Sequence, residues 1–317
     1  MALAIATLLS RALDPVATWL RSRGWRPGLA ATVSLVGFLV ALVALLSALV
    51  PLVVDQVDEL GPTLSTAVDD VEDWLVEDSP FDVSRQDLDD LRQQASDALG
   101  RAARTSSESI ASGALAALEG VLGIFLALVT TFFILKDGAR FQAFVLGRLP
   151  DDREVLARRL AARSWTTLGG YLKGAAILGL VEGVIIGVTL ALVGAQLAIP
   201  VAIITFIAAF VPIVGAIVAG AIATLVALAT AGFVPAVIVV SVAIVVQQLD
   251  NDVLAPVIYG KALQLHPLVI LFAVVTGGAL FGIGGTLLAV PVTAVVLNAL
   301  AEAERVRLEA TEDQNSS

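Results

Sequence analysis

The chain has 317 residues, 58% of them hydrophobic, a net charge of −10, one histidine and no cysteine. Disulfides, thiolate nucleophiles and Cys-based metal sites are excluded, and no His/Asp/Glu cluster stands at metal-ligand spacing. A G-x-x-x-x-G-K-[ST] phosphate loop is absent, which argues against ATP-driven transport by this chain alone; no cofactor and no nucleic-acid partner are expected.

Charge is withheld from long stretches. Gly183 to Leu249 contain no Asp, Glu, Lys or Arg, and neither do Ala262 to Ala301, whose one titratable group is His266. A transmembrane helix needs about 20 apolar residues, so the first stretch alone is worth roughly three spans. Lipid cannot satisfy backbone polar groups, which leaves helices or a closed barrel. The runs do not alternate apolar and polar residues, and that excludes the barrel. The expected fold is an all-α integral membrane protein with about five to eight transmembrane or re-entrant helices. Its chemistry has to lie inside the lipid bilayer.

In chain order, Arg11, Arg21, Arg23 and Arg26 lie in segment 1–27, before a first full span at 28–54. Segment 55–119 is acidic, with Arg85, Arg92, Arg101 and Arg104 as its few cations. A second span follows at 120–135. Segment 136–170 is basic, carrying Lys136, Arg140, Arg148, Arg153, Arg158, Arg159 and Arg163. Basic residues mark the cytoplasmic side, so the acidic segment is expected outside and the basic segment inside. Val53, Val57, Leu60, Leu64, Val68, Val71 and Leu75 recur at helical spacing, continuing the first span as an amphipathic helix. Gly61-Pro62 is expected to kink or restart it. A second stripe through Leu88, Leu91, Ala95 and Leu99 either pairs with the first in a hairpin or forms an oligomer contact.

From Asp151 to Leu168 the pattern is that of an amphipathic helix at the headgroups, serving as an elbow into the next span. The transport core is expected at 171–301 and a cytoplasmic tail at 302–317. Within the core, Ala175, Gly179, Gly183, Gly187, Ala191 and Ala195 form a small-residue ridge along one helix face, built for close approach of a neighbouring helix. A similar ridge runs through Gly215, Ala219, Ala223 and Ala227. Two hydrophobic blocks are interrupted midway, one at Pro212 and Gly215, the other at Gly282, Gly284 and Gly285. Each is either two thin spans or a re-entrant hairpin. Paired broken segments are the best sequence pointer to a transporter's binding site.

Several motifs resemble the autoinducer-2 exporter family of permease-like membrane proteins. They are Gln247-Gln248-Leu249-Asp250-Asn251-Asp252-Val253-Leu254-Ala255-Pro256, Gly260-Lys261, and Leu265-His266-Pro267-Leu268. Gly277-Gly278-Ala279-Leu280-Phe281-Gly282, with Gly285 and Leu288-Ala289-Val290-Pro291, continues the resemblance, and Val211-Pro212-Ile213-Val214-Gly215 is similar to its central element. The resemblance implies a homo-oligomeric, multi-pass protein of the bacterial inner membrane that exports small molecules or ions. Autoinducer-2 release and sodium/proton exchange are both linked to such proteins. Ala2 to Leu9 is too short for a crossing, so Ala2 to Arg26 is expected to match the second half of an N-terminal hairpin whose first helix is missing.

Glu182 is the one carboxylate well inside a span. An ionised group at mid-bilayer costs about 2.5–3.5 kcal/mol, so such a residue faces a cavity or a partner. Low-dielectric surroundings favour the neutral form of a carboxyl, which suits proton coupling; the alternative is a water-filled oligomer interface. Asp250 and Asp252, flanking Asn251, either bind a cation, pair with Lys261, or solvate a helix end. Together these five residues are the candidate substrate or ion pathway. Pro212, Gly215, Pro256, Pro267, Gly277, Gly278, Gly282, Gly284 and Gly285 are the broken-helix elements. The glycines are expected to permit bending and close packing, since no basic residue accompanies them to bind an anion. His266 is expected to start the helix at Pro267. A secondary exporter of a small molecule or ion is favoured over a non-transporting scaffold, and no nucleophile–base pair suggests an enzyme.

Overall fold

The computed structural model describes residues 1–73, 110–211, 214–254, 257–258 and 266–315. Its elements are α1 (Ala2–Ser22), α2 (Pro27–Asp73), α3 (Ile110–Leu146), α4 (Asp151–Leu192), α5 (Ala198–Ala208), α6 (Val214–Ala231) and α7 (Phe233–Leu249). A π-helical turn at Asp250–Leu254 and α8 (Pro267–Asn315) complete the order, and no strand occurs among the described residues. Seven segments of these helices are long and apolar enough to cross a membrane. The fold is that of an all-α integral membrane protein.

Size sorting of side chains shows which way the helices face. Val40, Val43, Ile124, Phe125, Leu180 and Val245 are exposed, whereas Ala6, Ala17, Ala175, Ala223, Ala227 and Ala294 are fully or almost fully buried. Lipid is as apolar as leucine, so the helices associate through close backbone approach rather than through hiding large side chains.

Ala2–Ser22 is one continuous helix, long and apolar enough to cross a membrane, where Ala2 to Leu9 alone was too short. α1 buries Ala6, Ser10, Leu13, Ala17 and Leu20 and packs against α2, α3 and α4. Its charges do not end the helix because they neutralise one another along one side. Asp14 sits 3.7 Å from Arg11 and 3.2 Å from Arg21. Arg11 Nε also donates to the Trp165 carbonyl at 2.9 Å, its guanidinium resting where a side chain on Gly169 would have to go.

α2 continues through Gly61 and Pro62 to Asp73 instead of restarting there; the stripe from Leu88 to Leu99 lies outside the described residues. α4 is likewise uninterrupted where an elbow was expected. Its 42 residues extend about 63 Å at 1.5 Å per residue, twice the roughly 30 Å of a hydrocarbon core.

The neighbour of the α4 ridge is α5, in the same chain. A Cβ added at Gly183 would stand 2.6 Å from the Ala202 carbonyl oxygen, and one at Gly179 2.6 Å from that of Phe206. At Gly187 the obstacle is the Ala202 methyl, at 2.8 Å. The second ridge packs in the same core, where Ala223 and Ala227 meet Ile186, Leu190, Val201 and Val239. Gly232 joins α6 to α7 at φ 98°, a conformation that side chains on Cβ disfavour.

Both interrupted blocks fold back on themselves. In the first, Gly215 lies against the backbone of Ala208. In the second, α8 breaks at Gly282 (φ 61°, ψ −148°). A Cβ at Gly277 would stand 2.5 Å from the Gly285 carbonyl oxygen and one at Gly278 2.9 Å from Thr286 Oγ1. Residues eight apart lie about 12 Å apart along a straight helix, so this contact requires a tight hairpin. The arms are unequal: Ala198–Ala208 and Leu268–Gly282 are short, whereas Val214–Ala231 and Gly284–Val306 are long enough to cross. The sequence expectation that every half is short holds only for the first arm of each block.

One side chain touches both hairpins. The Tyr171 ring is buried against Val274, Ala289 and Val290 of α8, and its hydroxyl donates to the Phe210 carbonyl at the α5–α6 turn, at 2.6 Å. Tyr171→Phe should cost about 1 kcal/mol and lower the thermal unfolding midpoint of the detergent-purified protein by a few degrees. An unchanged midpoint would mean that the hydroxyl bond contributes nothing.

Candidate functional site

Glu182 projects from the C-terminal third of α4, ten residues or about 15 Å before its end at Leu192. Its side chain is 7% exposed. It lines a small cavity with Ile186 of its own helix, Thr205 of α5, Ala219 and Gly220 of α6, and Val246 and Gln247 of α7. The Gly and Ala positions that let these helices approach are those of the two ridges. Close packing leaves a pocket scarcely larger than the carboxyl it holds.

Asp250 stands beside Glu182, close enough for the two carboxyls to interact electrostatically, and among the described residues Oδ1 of Asp250 is buried with no hydrogen-bond partner. Asp250 opens the π-helical turn that follows α7. Ala243, Val246 and Gln247 line the cavity from α7, and Asp250 follows them at i+7, i+4 and i+3, so regular helical spacing carries it to the same face beside Glu182; Asp252 is exposed. Two facing carboxyls in apolar surroundings cannot both be ionised cheaply, so the arrangement suits one shared proton or one cation.

The sequence-derived candidates thus separate. Glu182 and Asp250 come together, Asp252 is exposed, and Asn251 occupies the second position of the π turn. Lys261, Pro256 and Pro212 lie outside the described residues. Gly215 closes the first hairpin; Gly277, Gly278, Gly282 and Gly285 form the second; and Pro267 begins α8. Gly284 meets only the flexible end of Met1. His266 accepts a hydrogen bond at Nδ1 from the Leu268 N–H at 3.2 Å, which fits a residue that starts a helix. Sequence reasoning passed over Tyr171, Thr205 and Gly220. A tyrosine at the head of an apolar span was the only signal for the first, and nothing in the local pattern marks the other two.

Outside this cavity, α6 and α7 leave a larger groove of about 730 Å³. Groove and cavity share Ala216, Gly220, Ala243 and Gln247 as lining, so they adjoin.

A lipid-facing bundle with internally packed small residues, two broken segments and a buried carboxyl pair has the build of a multi-pass membrane transporter. Residues 1–305 match the AI-2E family transporter model, and the chain belongs to that family. It is 32% identical over 300 residues, 93% of this chain and 80% of the relative, to a protein of Mycobacterium tuberculosis named provisionally as a transport protein. A Bacillus subtilis protein with the same provisional designation is 27% identical over 312 residues, 97% of this chain and 87% of its own. A provisionally named permease of Escherichia coli is 33% identical over 201 residues, 61% of this chain and 56% of its own.

Proposed function

We infer that the protein is a secondary exporter of a small molecule or ion in the bacterial inner membrane, coupled to protons through Glu182 and Asp250. The observation that carries this reading is the meeting of two carboxyls from distant parts of the chain inside a core where no cation neighbours them among the described residues. A structural carboxyl at mid-span would be costly without a partner donor, whereas a pair that exchanges one proton is suited to an energy-coupling step. The charge pattern orients the basic half of α4 toward the cytoplasm and the acidic segment outward. The protein works as a homo-oligomer in this reading, and autoinducer-2 is one substrate to test.

The same pair favours a second reading, a sodium/proton-type antiporter, because a carboxyl pair can trade a proton for a monovalent cation. Proteoliposomes with an internal fluorescent pH reporter test both. Glu182→Gln should assemble normally and lose flux driven by a pH gradient, while Glu182→Asp should shift the dependence. Proton release on adding sodium alone selects the antiporter. Wild-type pH-driven flux in Glu182→Gln would remove the pair from the mechanism.

A further inference from the structure

We propose that the groove between α6 and α7 binds an organic monocation with an apolar body, its positive end directed toward Glu182. This rests on the carboxyl-pair reading above and gives it a substrate class. The groove's volume of about 730 Å³ falls in the range of sites for drug-sized ligands, well beyond a bare ion. Ile217, Leu225, Val240 and Ile244 supply an apolar lining, with Thr224 and Gln247 as polar points along it. Ala216, Gly220 and Ala243, with Gln247, form the wall shared by that lining and the cavity in which Glu182 is buried.

Charge complementarity selects among occupants. Among the described residues, neither the groove nor the cavity is lined by Lys, Arg or His, and the carboxyls behind them include an oxygen with no hydrogen-bond partner. An organic anion would face a carboxyl pair with no compensating cation among those residues. A bare inorganic cation would leave the apolar walls without contact. A lipid chain would fill the walls and leave the carboxyls unanswered. A cation carried on an apolar frame satisfies both ends, with the long-range attraction strengthened by low-dielectric walls.

The test uses the full chain in lipid nanodiscs, with tetraphenylphosphonium as the probe and tetraphenylborate as its isosteric anion. Equilibrium dialysis should show saturable cation binding above empty discs and none of the anion. Glu182→Gln should weaken the cation by about tenfold or more. Ala221→Trp, at an exposed groove-lining position, should abolish binding by filling the space. Equal binding of cation and anion, or unchanged cation binding in either variant, would overturn the proposal. So would disulfide dimerisation of Ala221→Cys together with no cation binding, which would show a second copy covering the groove. Absent cation binding with the Glu182-dependent pH-driven flux intact would sink this proposal and leave the carboxyl-pair reading standing. Specific cation binding with flux indifferent to Glu182→Gln would do the reverse.

Discussion

Gly285→Leu should abolish stable folding of the core, seen as loss of the monodisperse peak in detergent gel filtration. A side chain at Gly285 runs into the backbone of Gly277, and backbone in a tight hairpin cannot rotate away as a side chain can. Overpacking of this kind costs about 1–3 kcal/mol even where neighbours can shift, and here the neighbour is main chain on one side and the Phe281 Cβ, 2.7 Å away, on the other. Gly282→Ala should do less, about 1–3 kcal/mol, through its positive φ alone, since open space surrounds it. Gly284→Ala should be nearly neutral, because the Met1 side chain can move. Thermal midpoints therefore rank Gly284→Ala above Gly282→Ala, with Gly285→Leu lowest. A Gly285→Leu protein with a wild-type midpoint would show that the arms do not pack at this glycine contact.

The second large effect falls on the carboxyl pair. Glu182→Gln and Asp250→Asn should each abolish pH-driven flux, and the double variant should lose nothing further, because residues acting as a unit are non-additive. Stability should move the other way. Removing a mid-span carboxyl lifts a penalty of about 2.5–3.5 kcal/mol, so the near-isosteric Glu182→Met should unfold at the wild-type temperature or above it while transporting nothing. A Glu182→Met protein that unfolds early would make the pair a structural device, and flux in the double variant would exclude it from coupling.

These results bear on how far residues alone could carry the reading. The ridge from Ala175 to Ala195 was visible because small residues every fourth position share one helix face, but spacing within a helix says nothing of what lies opposite. That α5 fills the ridge follows from the tight connection after α4, a tertiary fact. The glycines around Gly282 announced a break without revealing its sense. The contact of Gly277 with Gly285 supplies it, and it separates three glycines that a linear reading treats alike. Glu182 and Asp250 were each conspicuous as charges at the edges of an uncharged stretch. Their meeting was hidden because it depends on how α6 and α7 return beside α4, which spacing along the chain does not encode. On α1, Arg11, Asp14 and Arg21 are neighbours that neutralise one another, a pairing that does not show when each charge is read singly.

The length of α4 has a mechanical consequence. Arg11 of α1 holds this helix at Trp165, and Glu182 sits 17 residues further along the same unbroken rod. At 1.5 Å per residue the two points are about 25 Å apart, so a tilt of about 10° about the α1 contact swings Glu182 by about 4 Å. That is more than the span of a hydrogen bond. Were α4 to pivot there as a rigid rod, the α1 contact would serve as its fulcrum, and a small rotation far from the carboxyl pair would be enough to separate its members.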